Sequence, residues 1–155
     1  MSRAFVKEAD GLAAFDELPE RLVSPHPNLV TTTGLAQIEA EVARLSRDYA
    51  EAQAAGDRAA LNAAARDLRY WSARRASAEL VPDPAESEEV RFGSRVTILR
   101  DDDRRQTYRI VGEDEADPSQ GTVSYVSPIA RALLGKSVGD TVQVGPGEVE
   151  IIAIA

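Results

Sequence analysis

The chain has 155 residues, of which 43% are apolar, 28% charged and 5% aromatic, with no cysteine and a formal net charge of −8. That length allows one ordinary domain, or a small domain with a helical appendage. Disulfides, thiolate zinc sites and cysteine nucleophiles are excluded, and so acidic a surface argues against holding free nucleic acid by charge.

No apolar run approaches membrane-span length, and residues 1–10, MSRAFVKEAD, have no apolar signal region; a cytoplasmic protein away from membranes is expected. Residues 1–30 read as an extended arm. PERLVSPHPNLV places Pro19, Pro25 and Pro27 close together, and each removes a backbone donor and resists helix. Phe5, Val6 and Phe15 are its candidate anchors. His26 lies between two prolines with no metal-ligand spacing around it, so it reads as a surface residue.

Residues 31–81 read as a helical hairpin. TTT offers helix-capping hydroxyls. Leu35, Ile38, Val42, Leu45, Tyr49 and Ala52 then step by threes and fours, an unbroken heptad seam. A second helix over 58–80 carries Leu61, Ala64, Leu68 and Trp71 at the same spacing, which breaks at Arg75 and resumes at Ala78. Gly56-Asp57 between them is a turn signal. The second helix holds Arg58, Arg66, Arg69, Arg74 and Arg75, and the first holds Glu39, Glu41, Asp48 and Glu51. Cross-arm ion pairs on a solvated coiled coil explain that distribution most simply. Contact between a basic arm and a transcript or an acidic wall is the sharper reading.

Residues 82–89 read as an acidic, proline-containing linker, and 90–155 as a small antiparallel sheet with one short helix. VRFGSRVTILR and RQTYRIVG flank the polar turn DDDRR. GTVSYVS, the helix PIARALLG, and the pair TVQVG and EVEIIAIA around Gly145-Pro146-Gly147 complete it. The fold class is therefore α+β: an N-terminal antiparallel helical hairpin followed by a sheet domain. The acidic loop GEDEADP reads as exposed, either solvated or facing a basic partner.

FGSRVTI, YRIVGEDEADP, VSPIARALLGKSVGDTV and GEVEIIAI, in that order over 90–155, closely resemble the C-terminal domain of the Gre-type transcription elongation factors, GreA and GreB. VTTTGLAQIEAEVARL resembles the start of the Gre coiled-coil finger, whereas MSRAFVKE and the proline-rich arm lie outside the Gre pattern. The resemblance implies an FKBP-like C-terminal fold that docks on the rim of the RNA polymerase secondary channel, with the finger entering the channel. In cleavage-competent Gre factors two acids at the tip help hold a second Mg²⁺ while polymerase cuts its own transcript. Hard carboxylate oxygens suit that ion.

At the tip, Gly56-Asp57 matches the first part of the family's acidic pattern, and the second acidic position falls on Ala60. Asp67 lies well down the second arm and Glu51 sits on the other. Both arms are also shorter than a Gre finger. Asp57 is thus the one candidate tip carboxylate and Mg²⁺ ligand, the ion being shared with polymerase; as an ordinary residue it would cap the second helix. Ser127, Pro128 and Ile129 are the candidate partner-binding residues, because the matching turn in Gre factors grips polymerase. Ser127 and Pro128 would equally serve as N-cap and first residue of the short helix. Val126 departs from the polar residue usual there.

The resemblance thus implies a monomeric regulator that binds the polymerase secondary channel, with little or no transcript-cleavage activity, no catalysis and no cofactor of its own. One alternative is a cleavage-stimulating factor that works through Asp57 and Mg²⁺. Another is a regulator of a different enzyme through the C-terminal domain. Prolyl isomerisation is disfavoured, since 90–155 has only Phe92, Tyr108 and Tyr125 as aromatics, and a fold does not carry an activity with it.

Overall fold

A computed structural model describes residues 18–155. The expected anchors Phe5, Val6 and Phe15, and with them most of the arm, lie outside the described residues. The described chain divides into two units. One comprises 18–25 with Ile38–Ser77, and the other His26–Gln37 with Ala78–Ala155.

The first unit is the helical hairpin. Helix α1 spans Thr32–Ala55, beginning in the other unit, and α2 spans Arg58–Ser77. Ile38, Val42, Leu45 and Ala52 are buried as the seam requires, and Tyr49 is half-buried. On α2 only Ala64 and Arg74 are fully buried, while Leu61, Leu68 and Trp71 are half-buried. Burial thus continues through Arg74, one residue before the apparent break at Arg75. At 1% exposure the Arg74 guanidinium is buried together with its stem.

Gly56 ends α1 with φ +67°, a left-handed conformation that glycine adopts without steric penalty. The amide of Asp57 donates to Ala52 O at 3.0 Å and that of Gly56 to Gln53 O at 3.3 Å, which closes the end of α1 in a Schellman pattern. The second helix stops at Ser77, short of the expected 80. The chain then enters strand β2, Glu79–Leu80, which pairs in parallel with β1, Leu29–Val30. Glu79 N donates to Asn28 O and Val81 N to Val30 O, at 2.8 and 2.9 Å. Strands β1 and β2 are thereby held side by side within the second unit.

That unit is built on a five-stranded sheet: β3 Arg95–Arg100, β4 Arg105–Val111, β5 Thr122–Ser124, β6 Thr141–Val144 and β7 Gly147–Ile154, in the order β5-β4-β3-β7-β6. Helix α3, Pro128–Leu133, supplies Ala130 and Leu133 to the core, where they meet Val96, Ile98, Ile110 and Ile151, all essentially inaccessible. The sheet is mixed rather than antiparallel, because β4 and β5 run parallel. The connection Gly112–Gly121 turns the chain through a single 3₁₀ turn at Pro118–Gln120, with Asp117 as its N-cap. The strand expected from Val90 begins only at Arg95. Gly93, at φ +88°, precedes it, and Val90 instead pairs with the segment after α3: Val90 N to Lys136 O at 2.8 Å and Gly135 N to Val90 O at 2.9 Å.

The acidic linker is latched to the sheet. Asp83 accepts from the Arg109 guanidinium at 2.7 Å, and Pro84 packs so near Gly93 that a Cβ there would crowd it. The proline-rich segment is held as well: the Tyr125 hydroxyl donates to Pro27 O. The carbonyl of Leu29 approaches Gly112 so closely that a Cβ at 112 would fall well inside 3.0 Å of its oxygen. Because that neighbour is backbone and cannot rotate away, Gly112→Ala is expected to cost about 1–3 kcal/mol of stability in urea denaturation. A cost below measurement error would refute the close approach.

Candidate functional site

Three places commit polar side chains to helix starts: the hairpin tip, the root of α1, and the turn into α3. At the tip, neither long helix has an acid in its first turn. For α2 the missing negative end is supplied by Asp57, whose Oδ1 accepts from Ala60 N at 3.1 Å while its carbonyl accepts from Leu61 N at 2.9 Å. Asp57 is a cap in full geometry, exposed to solvent, and Ala60 beside it is exposed too. An open groove of about 510 Å³ between the arms is lined by Asp48, Glu51, Asp57 and Asp67 among small side chains such as Ala52 and Ala64. Among the described residues no group of three acidic or histidine side chains is placed to hold one metal ion. Of the Asp57 carboxylate, Oδ1 is engaged by the helix it caps.

The charges on the arms pair differently from the cross-arm expectation. Arg44 bridges Glu41 at 2.7 Å and Asp48 at 3.0 Å along its own helix, and those contacts, Glu41 first, hold its guanidinium above the ordinary value. Arg66 meets its neighbour Asp67 at 3.3 Å. Arg69 and Asp67 reach the arm instead, to Glu20 and Arg21.

At the root, α1 borrows an acid from 84 residues away. Glu115, in the loop read as exposed, is half-buried, and its two carboxylate oxygens accept from the Thr31 amide at 3.1 Å and the Thr31 hydroxyl at 2.5 Å. Thr31 Oγ1 in turn accepts from Gly34 N at 3.0 Å, and Thr31 O from Leu35 N at 2.9 Å. Thr31 is thus the N-cap, itself completely buried, and the carboxylate lies at the positive end of the helix. A Cβ at Gly34 would overlap the Glu115 carboxylate, which explains a glycine in the first turn of a helix. The TTTG signal pointed to a cap; nothing local pointed to Glu115.

At the third place, Ser127 caps α3, its Oγ accepting from Ala130 N at 3.3 Å, with Pro128 next in the helix. Pro128 is exposed, Ser127 half-buried, and Ile129 packs partly on the core, so Pro128 is the member of the trio most open to a partner. Phe92 and Tyr125 stack edge to face, centroids 5.7 Å apart, filling each other's space rather than lining a cavity. Asp57 belongs to the hairpin unit and Ser127, Pro128 and Ile129 to the sheet unit.

Comparisons with known proteins place this geometry. The family model for "Transcription elongation factor, GreA/GreB, C-term" matches residues 85–155. The chain is 35% identical over 136 residues to the transcription elongation factor GreA of Desulfovibrio desulfuricans, covering 86% of this chain and 80% of that protein. It is 37% identical over 139 residues to that of Rhodospirillum rubrum, covering 76% and 88%. The match to that of Hyphomonas neptunium reaches 61% identity but spans 56 residues, 36% of each protein. The chain thus spans less than half the length of several of the curated relatives it matches. No helix among the described residues is long and apolar enough to cross a membrane.

Two stability measurements check the caps. Glu115→Ala leaves the buried Thr31 amide and hydroxyl without their acceptor and is expected to cost about 1–3 kcal/mol. Asp57→Ala, at an exposed cap, is expected to cost about 1 kcal/mol. Equal costs, or a larger one at Asp57, would contradict the structural weight assigned to Glu115.

Proposed function

The chain belongs to the GreA/GreB family of transcription elongation factors, and from that premise we propose that it regulates RNA polymerase from the secondary channel with little or no transcript cleavage. The sheet unit docks on the channel rim, with Pro128 at the contact and Ser127 and Ile129 shaping the turn beneath it. The protein is monomeric and cytoplasmic and performs no catalysis of its own. Any cleavage belongs to polymerase.

The observation that carries this reading is the composition of the tip. Ala60 stands where the family pattern has its second acid, and the one acid present, Asp57, gives an oxygen to the Ala60 amide. A single carboxylate holds a hard divalent ion weakly. A factor of this kind occupies the channel, competes with cleavage-competent relatives and alters pausing.

The test uses the full chain and a stalled, backtracked elongation complex. The RNA is expected to keep its length with the wild-type protein, and Ala60→Glu, which restores a second acid at the tip, is expected to raise cleavage by roughly tenfold or more, a loss of about 1.4 kcal/mol from the barrier. Robust wild-type cleavage that vanishes in Asp57→Ala would overturn the proposal in favour of a cleavage factor that works through Asp57 and Mg²⁺. For the partner, Pro128→Glu is expected to weaken retention on core polymerase about tenfold, again about 1.4 kcal/mol. Unchanged retention would remove the α3 turn from the interface, and no retention of the wild type would point to a different enzyme as partner.

A further inference from the structure

The surface around α3 differs in charge from the rest of the chain. Acids make up 26 of the 155 residues, yet the 22 residues from Pro118 to Gly139 contain none, and their only charged side chains are Arg131 and Lys136. Of the six residues of α3, Ile129, Ala130, Ala132 and Leu133 turn wholly or partly inward, and Pro128 and Arg131 alone are exposed. Three positions apart, these two lie on one face of the helix. Lys136 and Val138 follow, both exposed, Val138 to 55%. Their backbone is tied down: Lys136 N donates to Leu133 O at 3.0 Å, Gly135 N to Val90 O at 2.9 Å and Val90 N to Lys136 O at 2.8 Å.

Neither cation is neutralised from within. Arg104 is bridged to Asp102 and Arg109 to Asp83, whereas among the described residues Arg131 and Lys136 make no ion pair. Asp140, the next acid along the chain, is turned to its own loop, where Oδ2 accepts from Ser137 N at 2.8 Å. Glu89 meets Ser137 through a backbone bridge. The company these cations keep decides what they fit. Phosphates would engage Arg131 and Lys136 and leave Pro128 and Val138 in water, and a net charge of −8 opposes a polyanion. A folded protein surface with carboxylates around an apolar spot engages all four residues. The guanidinium fork matches a carboxylate, and the apolar contact excludes water from it.

We propose, resting on the reading that the sheet unit docks on RNA polymerase, that Pro128, Arg131, Lys136 and Val138 form one docking patch whose partner is an acidic protein surface of polymerase. Arg131 and Lys136 meet its carboxylates, and Pro128 and Val138 supply the apolar contact.

The test is retention of the full chain on core polymerase free of nucleic acid. Wild-type retention is expected to fall at least fivefold, roughly, between about 0.05 M and about 0.5 M salt, because exposed charge pairs are screened. The Arg131→Gln/Lys136→Gln double variant is expected to bind about tenfold more weakly at low salt and to lose most of that salt dependence. Arg95 alternates with the core residues Val96 and Ile98, so it lies on the sheet face away from α3, and Arg95→Gln is expected to behave as wild type. Arg131 also stands in the last turn of α3, where a cation suits the helix dipole, so the urea midpoint is measured alongside; the double variant is expected to keep the wild-type value. Should it fall, Lys136→Gln is read alone, with binding expected to be about threefold weaker. Free single-stranded RNA is the second probe, and no retention on it is expected. Wild-type retention on polymerase that neither salt nor these substitutions change overturns the patch and leaves polymerase docking standing. Equal weakening by Arg95→Gln, or RNA binding that the double substitution abolishes, also overturns it. No retention of the wild type on polymerase overturns both the patch and the docking on which it rests.

Discussion

The contact between Glu115 and Thr31 is the constraint on which the rest of the molecule depends. A long helix must have its first amides satisfied, and α1 has no acid of its own to favour its positive end. The loop after β4 supplies one, and the supply is possible only because two glycines keep the space clear: Gly34 on the helix and Gly112 under Leu29. Once Thr31 is fixed, the neighbouring residues 29–30 lie in register with 79–80, and the two roots of the hairpin meet in a parallel ladder. Two residues of strand have little stability alone. Here they persist because the cap at Thr31, the Tyr125 hydroxyl on Pro27 and the Asp83–Arg109 latch each hold the same stretch of backbone or its neighbour.

What could be read from the sequence was whatever repeats locally. The heptad steps from Leu35 to Ala52 located α1 and its buried face, and alternating residues with glycine turns located β3, β4, β6 and β7. What could not be read depends on residues far apart in the chain. Glu115 stands in an acidic loop that any local rule assigns to solvent, and its cap is visible only when Thr31 is brought to it. Strands β1 and β2 are too short to leave a periodic signal. The parallel pairing of β4 with β5 depends on how a ten-residue connection turns, which alternation does not encode. Arg74 shows the limit of binary patterning, since a charged side chain is buried whole where polarity assigns it to solvent. The candidate residues themselves were legible: Asp57, Ser127 and Pro128 stand at turn and cap positions that short motifs announce. So were the capping roles of Asp57 and Ser127, which the structure shows as read.

Helix capping recurs at the hairpin tip and at the turn into α3. Asp57 uses a carboxylate oxygen, and Ser127 its hydroxyl, to start a helix. At the tip, capping engages Oδ1 of Asp57, and the residue three positions on is an alanine. Along α2, Arg69 is tied to Glu20 of the arm and Arg66 to its neighbour Asp67.

Native-state hydrogen exchange at the Thr31 amide measures the central contact most directly, because that amide is the donor to Glu115. If the clasp is as described, Thr31 exchanges as slowly as Ile110 in the middle of the sheet, through global unfolding alone. Exchange as fast as that of Ala60 at the exposed tip would mean that the root of α1 opens independently, and the dependence of the hairpin's register on Glu115 would be wrong.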